Sequence, residues 1–260
     1  MIRPGTEKED DCCSRIFFAA YTAPGWCSDR TGIVYLSAFV WFGIDLAVVC
    51  TADKHTMDYL TNQVWLLGLV IRFGLVVLAI LHKCQEKVYE KFARALASFW
   101  LIFGAAQWGV MLTFFTLVLI DDGTLDNLIN EEGYSPSTVM VWNHARHVTP
   151  VILHTIITWE KRSWLQRNTH RKCLVQPHTV EIHCPTMLTY WGTLIIPLLL
   201  GAVHTLFFDD RDIYQYRASA TRGWCALSFV FVSCVAAKYL MYIGGQFDQQ
   251  DPNYPDYTQA

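Results

Sequence analysis

Apolar and polar residues follow one another along this chain in long blocks rather than at short intervals. Six apolar blocks are close to the ~17–25 residues that a helix needs to cross a bilayer. They cover residues 33–50, 64–82, 93–120, 138–158, 186–208 and 222–244. The pattern predicts an all-α polytopic membrane protein with six transmembrane helices in one bundle.

Composition supports a single membrane domain. The 260 residues are 53% hydrophobic and 17% charged, and the mean hydropathy is +0.23, so the charges must be segregated from the apolar blocks. We divide the chain into an N-terminal polar segment (1–32), a six-helix membrane domain (33–244) and an acidic C-terminal tail (245–260). No basic surface interleaved with aromatic residues suits nucleic acid. The expected partners are membrane lipids and a possible larger membrane-protein assembly.

The distribution of Lys and Arg predicts the orientation, because positive charge is retained on the cytosolic or matrix side of a membrane. Six spans place both termini on one side, together with the basic loops near 83–92 and 159–185. The 121–137 loop on the other side has five acidic residues and no Lys or Arg. We therefore expect both termini to face the cytosol or the mitochondrial matrix.

Ionisable side chains inside the predicted spans are expected to find partners. On insertion scales each costs on the order of 3 kcal/mol near the bilayer centre. Asp45 lies in the first span, Arg72 in the second and Lys238 in the sixth. We expect Asp45 to pair with one of these two cations, and the sequence leaves both pairings open.

The fourth apolar block carries a polar stripe. At about 100° per residue, the stripe residues fall within a sector of about 120° on one helical face; they are Asn143, His144, His147, Pro150 and His154. A histidine base can activate a hydroxyl nucleophile supplied by another helix. By residue type alone the candidates are Ser37, Thr113, Thr116, Ser228 and Ser233, and the sequence pattern does not choose among them.

Two other chemistries use the same histidines. A b-type haem needs ligands from facing helices, such as His147 or His154 with His204. A non-haem metal site needs more ligands than His144 and His147 supply. The 159–185 segment also has zinc-capable side chains, but their spacing matches no familiar structural zinc site; they are His170, Cys173, His178, His183 and Cys184. We expect that segment to be a solvated loop and expect no cofactor or metal.

The segment Trp142-Asn143-His144-Ala145-Arg146-His147, followed by Pro150, resembles the signature of the androgen-induced-gene and androgen-dependent TFPI-regulating-protein family. Members are multi-span membrane proteins that hydrolyse fatty acid esters of hydroxy fatty acids with a threonine nucleophile and a histidine. The resemblance implies that His147 is the catalytic histidine. It also implies that Ser37, in Tyr35-Leu36-Ser37, takes the place of the threonine.

Two functions are therefore expected. The first is an integral membrane carboxylic ester hydrolase acting on lipid esters in an endomembrane or the plasma membrane. Ser37 is its nucleophile and His147 its base, while Asn143 or His144 orients the base or donates to the oxyanion. The alternative is a non-catalytic, lipid-binding accessory subunit of a larger membrane assembly, such as a respiratory or ATP synthase complex of the mitochondrial inner membrane.

Overall fold

The chain forms a helical bundle in a computed structural model that describes residues 32–51, 59–84, 86–120, 135–175, 180–207 and 219–245. The longer helices are α1 (Gly32–Cys50), α2 (Leu60–Cys84), α3 (Glu86–Ile120), α7 (Met187–Phe207) and α8 (Ser219–Gly245). Three short helices lie between α3 and α7: α4 (Pro136–His147), α5 (Thr149–Glu160) and α6 (Arg162–Thr169). The predicted N-terminal segment, acidic tail and 121–134 region lie almost entirely outside the described residues.

All six apolar blocks are helical, but six spans are not supported by helix length and composition. Within the described residues, three stretches are long and apolar enough to cross a membrane: Leu60–Leu78, Val88–Leu119 and Met187–Phe207. Leu36–Cys50 and Gly223–Tyr239 are shorter apolar stretches. The three long helices are compatible with an integral membrane protein.

The fourth predicted span is two helices rather than one. α4 ends at His147, and α5 begins at Thr149 with Pro150 in its first turn. Proline has no N–H to continue the hydrogen-bond ladder and fits the first turn of a helix, so it divides this block. Val148 joins the halves, and its N–H donates to the His144 carbonyl oxygen at 2.9 Å. The prediction of one continuous helix over 138–158 was wrong in this respect.

The prediction of a solvated loop over 159–185 was also wrong for much of that segment. Helix α6 is followed by an antiparallel hairpin of β1 (His170–Val175) and β2 (Val180–Pro185), with His170 opposite Pro185 and Val175 opposite Val180. The Thr186 N–H donates to the Thr169 carbonyl oxygen at 2.7 Å and closes the base of the hairpin. The alternation of apolar Val180, Ile182 and Cys184 with polar Glu181 and His183 was an available signal for β2, and the prediction of a loop overlooked it.

Helix α3 is the central helix of the bundle. It has 35 residues and packs against α2, α5, α6, α7 and α8. Its buried side chains include Trp100 and Phe103, which are fully enclosed with Trp41 of α1. Ser98 of α3 also shares a 2.8 Å hydrogen bond with Thr189 of α7. Side chains on α3 therefore reach most of the other helices, including those that carry the polar stripe.

Candidate functional site

A buried ion pair joins α1 to α2 and confirms one of the two pairings left open by the sequence. The Arg72 guanidinium donates to Asp45 Oδ1 at 2.7 Å, and both side chains are at most 5% exposed. The Trp65 indole N–H donates to the same oxygen at 2.8 Å. The Arg72 guanidinium also lies 4.9 Å from the centre of the Trp41 ring, within cation–π range. Asp45 is thus neutralised within the bundle.

The three histidines of the polar stripe lie in three different environments. His144 is exposed, and its Nδ1–H donates to the Met140 carbonyl oxygen of the preceding turn at 2.8 Å. His147 stacks on Phe114 of α3, with ring centres 4.1 Å apart and planes within 7°. His154 is fully buried, and Asn143 is buried one turn before His147. The stripe is therefore not one surface.

His154 belongs to a closed hydrogen-bond network between α3 and α5. Its Nε2–H donates to the Trp100 carbonyl oxygen at 3.0 Å, so Nδ1 accepts from Thr158 Oγ1 at 3.3 Å. The Trp100 indole N–H in turn donates to Thr158 Oγ1 at 3.0 Å. Both ring nitrogens of His154 are occupied by the protein, which argues against its use as a haem ligand. These hydrogen bonds hold α3 and α5 together.

His147 faces a small cavity between α1, α2, α3 and the α4–α5 junction. The cavity measures about 30 Å³. Its apolar wall includes Ile44 and Val48 of α1, and its polar lining residues are Thr61, Asn62, Gln107, Arg146 and His147. The Arg146 guanidinium donates a hydrogen bond to Asn62 Oδ1. The cavity therefore combines a hydroxyl, an imidazole, two amides and one positive charge.

Two polar atoms in this cavity are buried without protein partners. Gln107 Oε1 and His147 Nδ1 accept no hydrogen bond from any residue that the structure describes. Buried polar groups of this kind are uncommon in folded proteins and need a physical explanation. They mark the cavity as a place where a polar ligand would find unpaired hydrogen-bond acceptors.

Ser37, the nucleophile that the family resemblance implies, lies at a different height along α1 from the cavity beside His147. Ser37 is buried on α1, one turn before Trp41, whose ring lies 6.3 Å from that of His154. The residues of α1 that line the His147 cavity begin seven positions later, at Ile44. At 1.5 Å per residue this is roughly 10 Å along the helix axis. The structure brings Ser37 toward the His154 level, while His144 points away from the cavity.

The other sequence candidates also lie apart from this cavity. Thr116 donates its hydroxyl to the Leu112 carbonyl oxygen of its own helix at 2.8 Å. Thr113, Ser228, Ser233 and His204 are absent from the cavity lining. The described residues contain no group of three or more His, Cys, Asp or Glu side chains placed to hold a metal ion. Most of the zinc-capable side chains of 170–184 fall outside the described side chains.

Sequence reasoning missed three residues of the cavity: Thr61, Asn62 and Gln107. Thr61 and Asn62 lie in the first turn of α2, just before the predicted second span, and Gln107 lies inside the third. A search for ionisable residues in spans overlooks neutral amides and hydroxyls. For Gln107, an uncharged polar side chain within an apolar block was the available signal, since it too must find a partner away from water. Thr61 and Asn62 lie outside the predicted blocks and carried no such signal.

Comparison of the chain with known protein families, with characterised proteins and with solved structures found no match. The resemblance to the androgen-induced-gene family thus rests on the Asn143-His144-x-x-His147 motif and the residues around it.

Proposed function

We propose that this chain is an integral membrane hydrolase of lipid esters, with His147 as the base and the Thr61 hydroxyl as the nucleophile. The observation that carries the proposal is the cavity that both residues line. His147 Nδ1 is buried without a partner among the described residues, so it is free to accept a hydrogen bond from a nucleophile. Thr61 replaces Ser37 in this role because Ser37 lies outside the cavity.

The remaining polar residues of the cavity suit acyl transfer. As the Thr61 oxygen attacks the ester carbonyl carbon, its proton passes to His147 and negative charge develops on the carbonyl oxygen. The Arg146 guanidinium, held beside Asn62, supplies positive charge within the same cavity. Stabilisation of an oxyanion by one such donor commonly lowers the barrier by about 3–4 kcal/mol.

The size of the cavity favours a substrate whose chains remain in the bilayer. A cavity of about 30 Å³ holds the reacting ester group but not an acyl chain. Large apolar side chains are exposed on several helices, including Phe39, Phe73, Leu119, Phe207 and Phe231. Exposed apolar surface on this scale fits contact with lipid. The acyl chains of the substrate then lie along the outer surface of the bundle, in contact with lipid.

We also infer that all six apolar blocks cross the membrane, with both termini on the cytosolic or matrix side. Exposed apolar side chains on the two shorter stretches support this arrangement, since Leu46 of α1 and Leu227 of α8 are more than half exposed. In a bilayer these side chains would face lipid rather than water. The basic residues of the 159–185 segment support the orientation.

The test is labelling of the detergent-solubilised protein by a fluorophosphonate probe that reacts with activated hydroxyls. We expect Thr61→Ala and His147→Ala to abolish labelling, because one removes the attacking oxygen and the other its base. Ser37→Ala should label like the unmodified protein. Thr116→Ala is the matched control, since that hydroxyl bonds only within its own helix turn in the structure.

The outcomes separate the alternatives. Labelling that survives Thr61→Ala and disappears in Ser37→Ala would return the nucleophile to Ser37. Labelling that survives His147→Ala would remove the imidazole from the mechanism. An unmodified protein that never labels, and that migrates with a larger complex on native gels, would support the accessory-subunit alternative instead.

A further inference from the structure

Two residues with unpartnered polar atoms line the cavity from different helices. Gln107 belongs to α3 and is 8% exposed, while His147 ends α4. Neither Gln107 Oε1 nor His147 Nδ1 has a hydrogen-bond partner within the described part of the chain. Both residues line the same cavity. A ligand placed between them must offer a hydrogen to each atom.

The volume of the cavity suits water as that ligand. A cavity needs roughly 10–15 Å³ to admit one water molecule, which must also find two to four polar partners. This cavity of about 30 Å³ therefore admits one or two waters. Gln107 Oε1 accepts one O–H of such a water, and an unprotonated His147 Nδ1 accepts the other. An apolar ligand would leave both atoms unsatisfied.

The surrounding packing holds the two atoms in fixed positions. The Phe114 ring stacks on the His147 imidazole and fixes its plane. Phe114 follows Gln107 by seven residues on α3, about two helical turns, so both side chains project from the same face of that helix. Val110 lies between them on this face and also lines the cavity. One face of α3 thus carries both the Gln107 amide and the Phe114 ring that holds the His147 imidazole of α4.

We infer that Gln107 binds the hydrolytic water and orients it for activation by His147. This inference rests on the proposed function, in which Thr61 becomes acylated. The water oxygen attacks the acyl carbonyl carbon, and His147 takes one of its protons. The bond between the carbonyl carbon and the Thr61 oxygen then breaks, and that proton passes from His147 to the Thr61 oxygen. The products are a free fatty acid and the original hydroxyl.

The experiment compares acylation with deacylation, using a p-nitrophenyl fatty ester and the full chain in detergent. The Gln107→Leu variant removes the acceptor at similar volume, and Gln107→Glu keeps an oxygen acceptor at that position. We expect Gln107→Leu to retain the initial burst of nitrophenolate, because acylation does not use the water. Its steady-state rate should fall at least tenfold, on the order of the effect of losing one positioned group in general base catalysis.

Two further readouts separate water positioning from general damage to the fold. Acyl chains should remain on Gln107→Leu after the burst, and hydroxylamine, a small nucleophile that needs no positioned water, should release them. Gln107→Glu should recover part of the steady-state rate. If Gln107→Leu does not fold, Gln107→Met supplies the same loss of the acceptor with a flexible side chain.

The possible failures are distinguishable. An unmodified protein that releases no nitrophenolate and never becomes acylated would overturn the proposed function and this inference together. A burst in the unmodified protein, combined with equal steady-state rates in Gln107→Leu, would overturn the inference alone. Loss of the burst in a folded Gln107→Leu variant would place Gln107 in acylation, which also contradicts it.

Discussion

Replacement of Arg72 by methionine is expected to lower the free energy of unfolding by about 3–5 kcal/mol, because it leaves the Asp45 carboxylate buried without its counter-charge. Asp45 is 3% exposed, and its other hydrogen bond comes from the Trp65 indole. One neutral donor does not compensate for the loss of a guanidinium. The measurement is SDS titration of the protein in mixed micelles, followed by circular dichroism.

The control for this prediction is the same substitution at an exposed ion pair. Arg94 lies 3.4 Å from Glu90 on the surface of α3, and both side chains are more than half exposed. Pairs of this kind contribute about 0.5 kcal/mol or less, so Arg94→Met should have little effect. Equal losses in the two variants would contradict a special role for the buried pair.

A double variant shows whether the loss arises from the unpaired charge. Combining Asp45→Asn with Arg72→Met removes both charges, while the asparagine oxygen still accepts from Trp65. Neutral replacements of buried ion pairs are often well tolerated. We expect the double variant to recover about 2 kcal/mol relative to Arg72→Met alone. A double variant as unstable as the single one would assign the effect to lost packing of the Arg72 side chain.

Gly104→Ala is expected to destabilise the protein by about 3 kcal/mol, although alanine is normally the better helix former. A Cβ atom at position 104 would overlap the His154 ring, lying 2.6 Å from Nδ1 and 2.7 Å from Nε2. The ring cannot move aside cheaply, because both of its nitrogens are hydrogen-bonded to Trp100 and Thr158. The same SDS titration measures the loss.

Gly43→Ala is the same chemical change at another helical glycine, and we expect it not to destabilise the protein. Nothing lies within 4 Å of a Cβ atom at position 43, which is also inside a helix. This variant should be neutral or more stable by up to about 1 kcal/mol. In a His154→Ala background the penalty of Gly104→Ala should largely disappear, since the overlapping ring is gone. A penalty that persists there would locate the strain elsewhere.

The helices could be predicted from sequence where apolar length alone decides the structure. The blocks at 64–82, 93–120 and 186–208 became α2, α3 and α7 because long apolar runs have few alternatives to a helix. The division of 138–158 was also foreseeable in principle, since Pro150 was visible within that block. The β2 strand was also foreseeable, because Val180, Ile182 and Cys184 alternate with polar residues. The β1 strand has no such alternation and depends on backbone pairing with β2.

The candidate site was only partly accessible to sequence reasoning. His147 was proposed from its motif, and Asp45 was correctly expected to pair with Arg72 or Lys238. The partners of His147 could not be found in the same way, because Thr61 and Gln107 come from helices whose rotation and relative height are set by packing. Ser37 illustrates this point: a displacement of roughly 10 Å along α1 separates it from the cavity without changing any local pattern.

The central position of α3 also limits how the length of this protein can change during evolution. Trp100, Gly104, Gln107 and Phe114 recur at helical spacing and share one face of that helix. Deleting a single residue between Gly104 and Gln107 would rotate the second half of the face by about 100° relative to the first. The His154 network and the His147 cavity could then not both be retained. Insertions and deletions should therefore accumulate in the connections between helices and be absent from this part of α3.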